Sequence, residues 1–303
     1  MPWPDLGPST EVAGFCERPK IGRSMTMPKL IGGSPREREV VANTVRLCHR
    51  YTWYAVMMLD HIASEIDRRD FTRARCLWAE NQYKPTFVYQ GGSQYQGGRP
   101  CLEYYFGPYS QARVLKLRTW FWNLLRYIEG GHYAISIGAS PCPCSTSSIC
   151  IRYGPPDVIH YCNGIHPNAT PIWIFHSMLH ELYHGVGGKH NATCDGKVVH
   201  EYAIGDEGLH ELAQKCPDLA IINPYSAASF CQGVGLAVDG NVGGPPCDGH
   251  RYPGAVPQPF YWGKSCPKNP PQKKPDPRTT LRVNPRGLRA RLASFFGAFF
   301  GHP

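Results

Sequence analysis

The stretch Thr170–His190, TPIWIFHSMLHELYHGVGGKH, decides how the rest of the chain is read. Thr170-Pro171 has the form of a helix start, because Thr can cap and Pro is pre-set for the first helical position. Ile172, Ile174, Phe175, Leu179 and Leu182 supply an apolar surface that can bury the helix, and Gly185, Gly187 and Gly188 end it. Within it stands His180-Glu181-Leu182-Tyr183-His184. Two His four residues apart on a helix project from one face, one turn apart, as two ligands of a single ion must. A Glu directly after the first His sits beside an ion-bound water and can take its proton. The expectation is a zinc site held by His180 and His184, with Glu181 as general base. The competing reading is a core helix with two satisfied histidines.

A catalytic zinc needs a third protein ligand and one open position. His176 lies on the same face, but the two turns from it to His184, about 12 Å, are too long a span for one ion. His190 completes HExxHxxGxxH, with Gly187 at the bend. Sites of that pattern carry a methionine turn after the third His. The six methionines here are residues 1, 25, 27, 57, 58 and 178, so none follows. Asp195, eleven residues after His184, offers a carboxylate, and His200 is within range without a spacing rule. Asp195 and His190 stand as alternatives for the third ligand.

Around this core the chain organises simply. Residues 1–34 are Pro-, Gly- and Ser-rich and aperiodic, an irregular lead-in. Val41, Val45, Cys48, Thr52, Ala55, Leu59 and Ile62 form one stripe of a long helix over 36–67. Leu102–Gly107 (LEYYFG) reads as a short strand or turn. Ser110 caps a helix with Val114, Leu117, Phe121, Leu124 and Ile128 inside, ended by Gly130-Gly131. Tyr133, Ile135 and Ile137 alternate as a strand, and Val158–Cys162 is a second. Further helices are expected near 207–216 and after Asn223-Pro224. The architecture implied is one helix-rich α+β domain over 35–263 with a small sheet.

Thirteen cysteines, spread along the chain and not gathered in CxxC pairs, fit a disulfide framework better than a zinc ribbon. The sequons Asn168-Ala-Thr170 and Asn191-Ala-Thr193 also point to an extracellular, secreted protein. The first residues, MPWPDLGPSTEVAGFC, have neither the basic start nor the apolar run of a secretory leader.

Charge excludes one class of partner. From Lys264 onward nine Lys/Arg stand against one Asp, a net +8 of the total +9. The domain is therefore near neutral and offers no basic surface for nucleic acid. Residues 264–303 read as a Pro- and Lys-rich linker followed by RGLRARLASFFGAFFGHP. That end is expected to be loosely docked, with a weak membrane-surface contact as its second reading.

The residues after the His motif resemble the aspzincins, the deuterolysin and peptidyl-lysine metalloendopeptidase family. Thr193 and Asp195 stand where that family carries a threonine and an aspartate ligand, with Ala192 in place of its glycine and Val198 in place of its tyrosine. Tyr202, which opens Tyr-Ala-Ile-Gly, implies a lengthened segment. LAQKCPDLAIINPYSAASF (Leu212–Phe230) is similar to the family's LAxxxPxxAxxNADxxxYF stretch, and Tyr105-Phe106-Gly107 and Val158–Cys162 are similar upstream. The likeness runs from about residue 36 to 232.

It implies a zincin-like fold and a monomeric endopeptidase acting on proteins or peptides. His180, His184 and Asp195 would be zinc ligands, Glu181 the base, and Tyr202 a donor to the oxyanion. Lysine-specific members carry an acidic pair where this chain has Tyr225 and Ala228, so no strong lysine preference is expected. The alternative function is an inactive zinc-binding or adhesion protein that keeps the motif helix.

Overall fold

The computed structural model describes residues 25–79, 86–88, 94–96, 101–144, 149–203, 205–241 and Cys266; at 86–88, 94–96, 206 and 236–241 only the backbone is described. All of these lie in the first of the two units into which the chain divides, residues 1–268.

A four-stranded sheet and a set of helices share one core. In chain order the elements are β1 (Lys29–Gly32), α1 (Pro35–Asp67), α2 (Phe71–Ala79), β2 (Thr86–Val88), β3 (Gln94–Gln96), α3 (Leu102–Phe106), α4 (Gln111–Gly130) and β4 (Tyr133–Ile137). Then follow β5 (Ile149–Arg152), β6 (Asp157–Tyr161), α5 (Pro171–Gly185), β7 (Thr193–Cys194) and β8 (Lys197–Val198). A 3₁₀ turn (Val199–Ala203), α6 (Gly205–Lys215), α7 (Pro217–Ile222) and α8 (Pro224–Asn241) complete the series. This is the helix-rich α+β class with a small sheet.

Strand order is β1-β4-β6-β5, with β1, β4 and β6 parallel and β5 antiparallel to β6 at the edge. The alternation of Tyr133, Ile135 and Ile137 places all three in the buried layer.

The long first helix forms because its start is doubly closed. The Ser34 hydroxyl accepts from the Glu37 N–H, and the Glu37 carboxylate accepts from the Ser34 N–H. The apolar stripe from Val41 to Ile62 is wholly buried, and α1 packs against α4, α5 and α8. Ser110 caps α4 through the Arg113 N–H, and Gly131 ends it at φ +58°, a left-handed cap that glycine takes without steric cost.

Three local expectations differ. Lys29–Gly32, expected within the irregular lead-in, is a strand because it pairs in parallel with β4. Leu102–Phe106 is a helical turn and not a strand, because Leu102, Tyr104, Tyr105 and Phe106 are buried together among helices. Thr170 occupies the cap position of α5, but its side chain makes no capping bond; Pro171 begins the helix as expected.

Four disulfides are present among the described residues: Cys76–Cys266, Cys142–Cys162, Cys144–Cys150 and Cys194–Cys216. Cys48 and Cys231 are buried thiols, and Cys16 and Cys247 lie outside the described residues. The linker expected from residue 264 contains Cys266, which is buried, bridged to α2, and accepts a 2.7 Å hydrogen bond on its carbonyl from Arg73. At that point the chain belongs to the core. The rest of the tail, and residues 1–24 of the lead-in, lie outside the described residues. No helix among the described residues is long and apolar enough to cross a membrane.

Beside the main core sits a smaller one. Cys194, Val199, Tyr202, Leu212, Ala213 and Ala220 pack together around the β7–β8 hairpin and α6, and the Cys194–Cys216 bridge closes it.

Candidate metal centre

The motif helix α5 lies between α1 and α8 and touches the edge strand β5. The motif residues are buried on it: His180 is 7% and Glu181 6% exposed. His180 and His184 face the same side, their ring centroids 4.9 Å apart.

The chain then reverses so that His190 comes back to them. Val186 and Gly188 both donate to the Tyr183 carbonyl, and Gly187 donates to the His184 carbonyl at 2.9 Å. Gly187 has φ +102°, a conformation that L side chains rarely adopt, so this bend requires a glycine. The Lys189 N–H then donates to the Ile222 carbonyl at 3.0 Å, which pins the returning segment to the end of α7.

As a result three ring nitrogens converge. His190 Nε2 is 3.0 Å from His184 Nε2 and 3.0 Å from His180 Nε2, and the three ligand atoms lie within 4.8 Å of one another. Nitrogens around a tetrahedral zinc at about 2.0–2.1 Å stand about 3.3 Å apart, so this spacing needs little adjustment to fit such an ion. Their protonation fits as well. The Gly188 carbonyl can only accept, so His184 Nδ1, at 2.8 Å from it, carries the ring proton and leaves Nε2 as a bare lone pair. Burial lowers the pKa of all three histidines; with it, repulsion from neighbouring imidazoles lowers His180 and brings His190 to about 4. Three neutral imidazoles whose Nε2 atoms converge on a common point are a donor set for a cation. The Nδ1 atoms of His180 and His190 are buried with no hydrogen-bond partner among the described residues.

Glu181 stands beside this set. Burial raises its carboxyl to about 7, against a hydrogen bond from the Ile151 N–H of β5 that pulls the other way. A carboxyl poised there can take and return a proton near neutrality.

Other expected residues are placed elsewhere. Asp195 does not join the histidines. It occupies the β7–β8 turn with φ +49°, its carboxylate 63% exposed and 3.9 Å from the Lys215 ammonium. The alternative, His190, is the residue brought to the pair. Tyr202 also stands apart: it is buried in the smaller core, and its hydroxyl donates to the Cys194 carbonyl at 3.2 Å. His176 Nε2 pairs with the Ser229 hydroxyl at 3.1 Å, and burial pushes its pKa down to about 4, which keeps it neutral. His200 is exposed, its ring 6.3 Å from that of His190.

Two tyrosines that the motif does not point to line the centre. Tyr225, in the first turn of α8, sets its ring edge-on to His180 with centroids 4.1 Å apart, and 5.3 Å from His190. Burial, then the neighbouring Glu181 charge, raises its pKa, so the phenol keeps its proton. Tyr153 follows β5, is 66% exposed, and donates to the His184 carbonyl at 3.3 Å. For Tyr225 one signal existed: the aspzincin resemblance aligns it with a position that meets substrate in lysine-specific members. Nothing in the pattern marks Tyr153.

No family model matches the chain, and no curated protein matches it. Among solved structures it is similar to a zinc peptidase from Grifola frondosa, at 13% identity, covering 66% of this chain and 96% of that one with a TM-score of 0.39. So loose a likeness carries neither the fold nor the site, which rest on the geometry above.

Proposed function

We propose that the chain is a zinc endopeptidase of the extracellular space, with residues 35–263 as its catalytic domain and proteins or peptides as substrates. The observation that carries this reading is the convergence of three neutral imidazole nitrogens, from His180, His184 and His190, beside the buried carboxyl of Glu181. Those three residues would hold the ion. When bound, zinc supplies Lewis acidity toward a water and a carbonyl oxygen. His184 is held for this role by the Gly188 carbonyl, which fixes the tautomer with its lone pair on Nε2.

Glu181 performs the proton transfers. Its carboxylate accepts the proton of the attacking water and passes it to the leaving amine as the C–N bond breaks. The Ile151 N–H holds the carboxylate in place, and burial keeps its proton affinity near the working pH. Asp195 has no part in this scheme, so the ligand set departs from the aspzincin one and reads as three histidines. The four disulfides fit an oxidising compartment.

The test separates an enzyme from a binding protein that keeps the helix. The full chain, purified and dialysed, is assayed for zinc and for cleavage of an unfolded protein and a quenched peptide library. The wild type should hold one zinc per chain. Glu181→Gln should keep the zinc while kcat falls on the order of 10²–10⁴-fold, the usual contribution of a general base. A wild type that holds zinc and cleaves nothing would make it the binding protein. A wild type without zinc would end both readings.

A further inference from the structure

Hydrolysis of a peptide bond puts negative charge on the former carbonyl oxygen, and a fixed neutral donor aimed at that oxygen is one of the largest aids a site can give. Several tyrosines are candidates, and burial and hydrogen bonding separate them: the Tyr183 hydroxyl donates to the Ile221 carbonyl, and Tyr161, near Glu181, is buried in the core. The Tyr202 hydroxyl is spent on the Cys194 carbonyl inside the smaller core. The Tyr153 hydroxyl is given to the His184 carbonyl at the rim. The Tyr225 hydroxyl is taken up by no described residue, and its ring is the one packed against two of the converging histidines.

Resting on the zinc-endopeptidase reading, we infer that Tyr225 is a catalytic residue whose hydroxyl donates a hydrogen bond to the oxyanion formed at the scissile carbonyl.

The placement is built, not incidental. Asn223 Oδ1 accepts from the Tyr225 N–H at 3.2 Å, and Asn223 Nδ2 donates to the Ser226 hydroxyl at 3.3 Å, so the first turn of α8 is closed on itself. The Lys189–Ile222 backbone bond joins this turn to the segment that carries His190. One connected piece of backbone therefore positions both the third imidazole and the phenol. The ring contacts hold the phenol over His180, and the half-buried side chain leaves its oxygen open to an incoming ligand. His176 is tied to Ser229, and the exposed His200 has no ring contact with His180 or His184 among those described. A phenol is also suited to it chemically: at neutral pH it is an uncharged O–H donor.

Tyr225→Phe is the test, because it removes one oxygen and keeps the ring that packs on His180. Zinc affinity, KM and kcat are measured on the full-length chain against the best-cleaved peptide. The expected result is a fall in kcat of about 10²–10³-fold, the cost of removing one oxyanion donor. KM and zinc affinity should stay near the wild-type values. A kcat within threefold of wild type overturns the inference, as does a loss of zinc large enough to account for the lost rate, since the tyrosine would then only support the ligands. The broader reading fails differently: a wild-type chain that holds no zinc or cleaves nothing sinks it before any variant is made.

Discussion

Two short segments, each shaped by glycines at positive φ, follow the motif helix, and each was a candidate source of the third ligand. The first, Gly185–His190, turns sharply at Gly187 and is pinned by Lys189 to Ile222, and it returns its histidine to His180 and His184. The second, Thr193–Val198, is a two-residue hairpin turning at Asp195-Gly196, and it sends its carboxylate to solvent beside Lys215. Both residues lie within range of the helix along the chain. What separates them is anchoring. The first segment is tied to Ile222 at the end of α7, next to Ile221 of the main core, whereas the second is closed by the Cys194–Cys216 bridge onto the smaller core. Sequence distance from a motif tells whether a residue can reach; the backbone bonds of its segment tell whether it does.

The largest expected effect breaks the comparison if it fails. His190→Ala should lose stoichiometric zinc on dialysis, a weakening beyond the 10–100-fold or so that outer partners of a metal site cost, and should lose activity with it. Asp195→Ala should keep both within about twofold, because an exposed carboxylate near one lysine contributes little. Metal analysis and rate measurements on the two variants side by side decide it. If Asp195→Ala sheds the zinc and His190→Ala does not, the roles of the two segments are reversed.

Much of this was readable beforehand, for identifiable reasons. The 3.6-residue stripe from Val41 to Ile62 predicts α1 because burial alone selects those positions. Ser110 and Gly131 mark α4 because capping is a local interaction. His180, Glu181 and His184 are brought together by helical geometry, which needs no tertiary information. Leu102–Phe106 is a helical turn where the sequence suggests a short strand or turn, because a five-residue segment has no period long enough to tell strand from helix, and tertiary packing decides it.

The same division runs through the site. Asp195 was read for its carboxylate, although Asp-Gly between two short extended pairs is also the signature of a tight hairpin, whose turn residues need positive φ. The turn chemistry prevailed. Tyr225 reaches the centre from a helix that begins forty-three residues after Glu181, and no local spacing rule spans such a gap.

A second pair of variants sharpens the comparison at intermediate size. Gly187 and Gly196 lie at φ +102° and +80°, so alanine at either is strained by about 1–3 kcal/mol. The consequences should differ in kind. Gly187→Ala pushes the His190 segment out of its bend and should weaken zinc binding by about 5–150-fold, that strain converted to an equilibrium constant. At Gly196 an added Cβ meets nothing within 4 Å, so Gly196→Ala should lower the Tm through the hairpin alone and leave zinc affinity as it was. Equal losses of zinc in the two variants would mean that the segments are coupled and that the separate anchoring of the hairpin is illusory.

The smallest effect concerns Tyr202, the tyrosine on the hairpin's side of the comparison. Its phenol closes the smaller core by donating to the Cys194 carbonyl. Tyr202→Phe keeps the ring in that core and removes one buried hydrogen bond, a cost of about 0.5–1.5 kcal/mol in unfolding free energy. Because the hydroxyl is turned away from the histidines, kcat should be unchanged within about twofold, in contrast with the loss expected for Tyr225→Phe. Denaturant unfolding and steady-state rates on the same preparations measure both quantities. A variant that unfolds like the wild type but turns over a hundredfold more slowly would show that the Tyr202 oxygen leaves the Cys194 carbonyl to reach the substrate. The hairpin would then be a mobile part of the centre and not a neighbour with a core of its own.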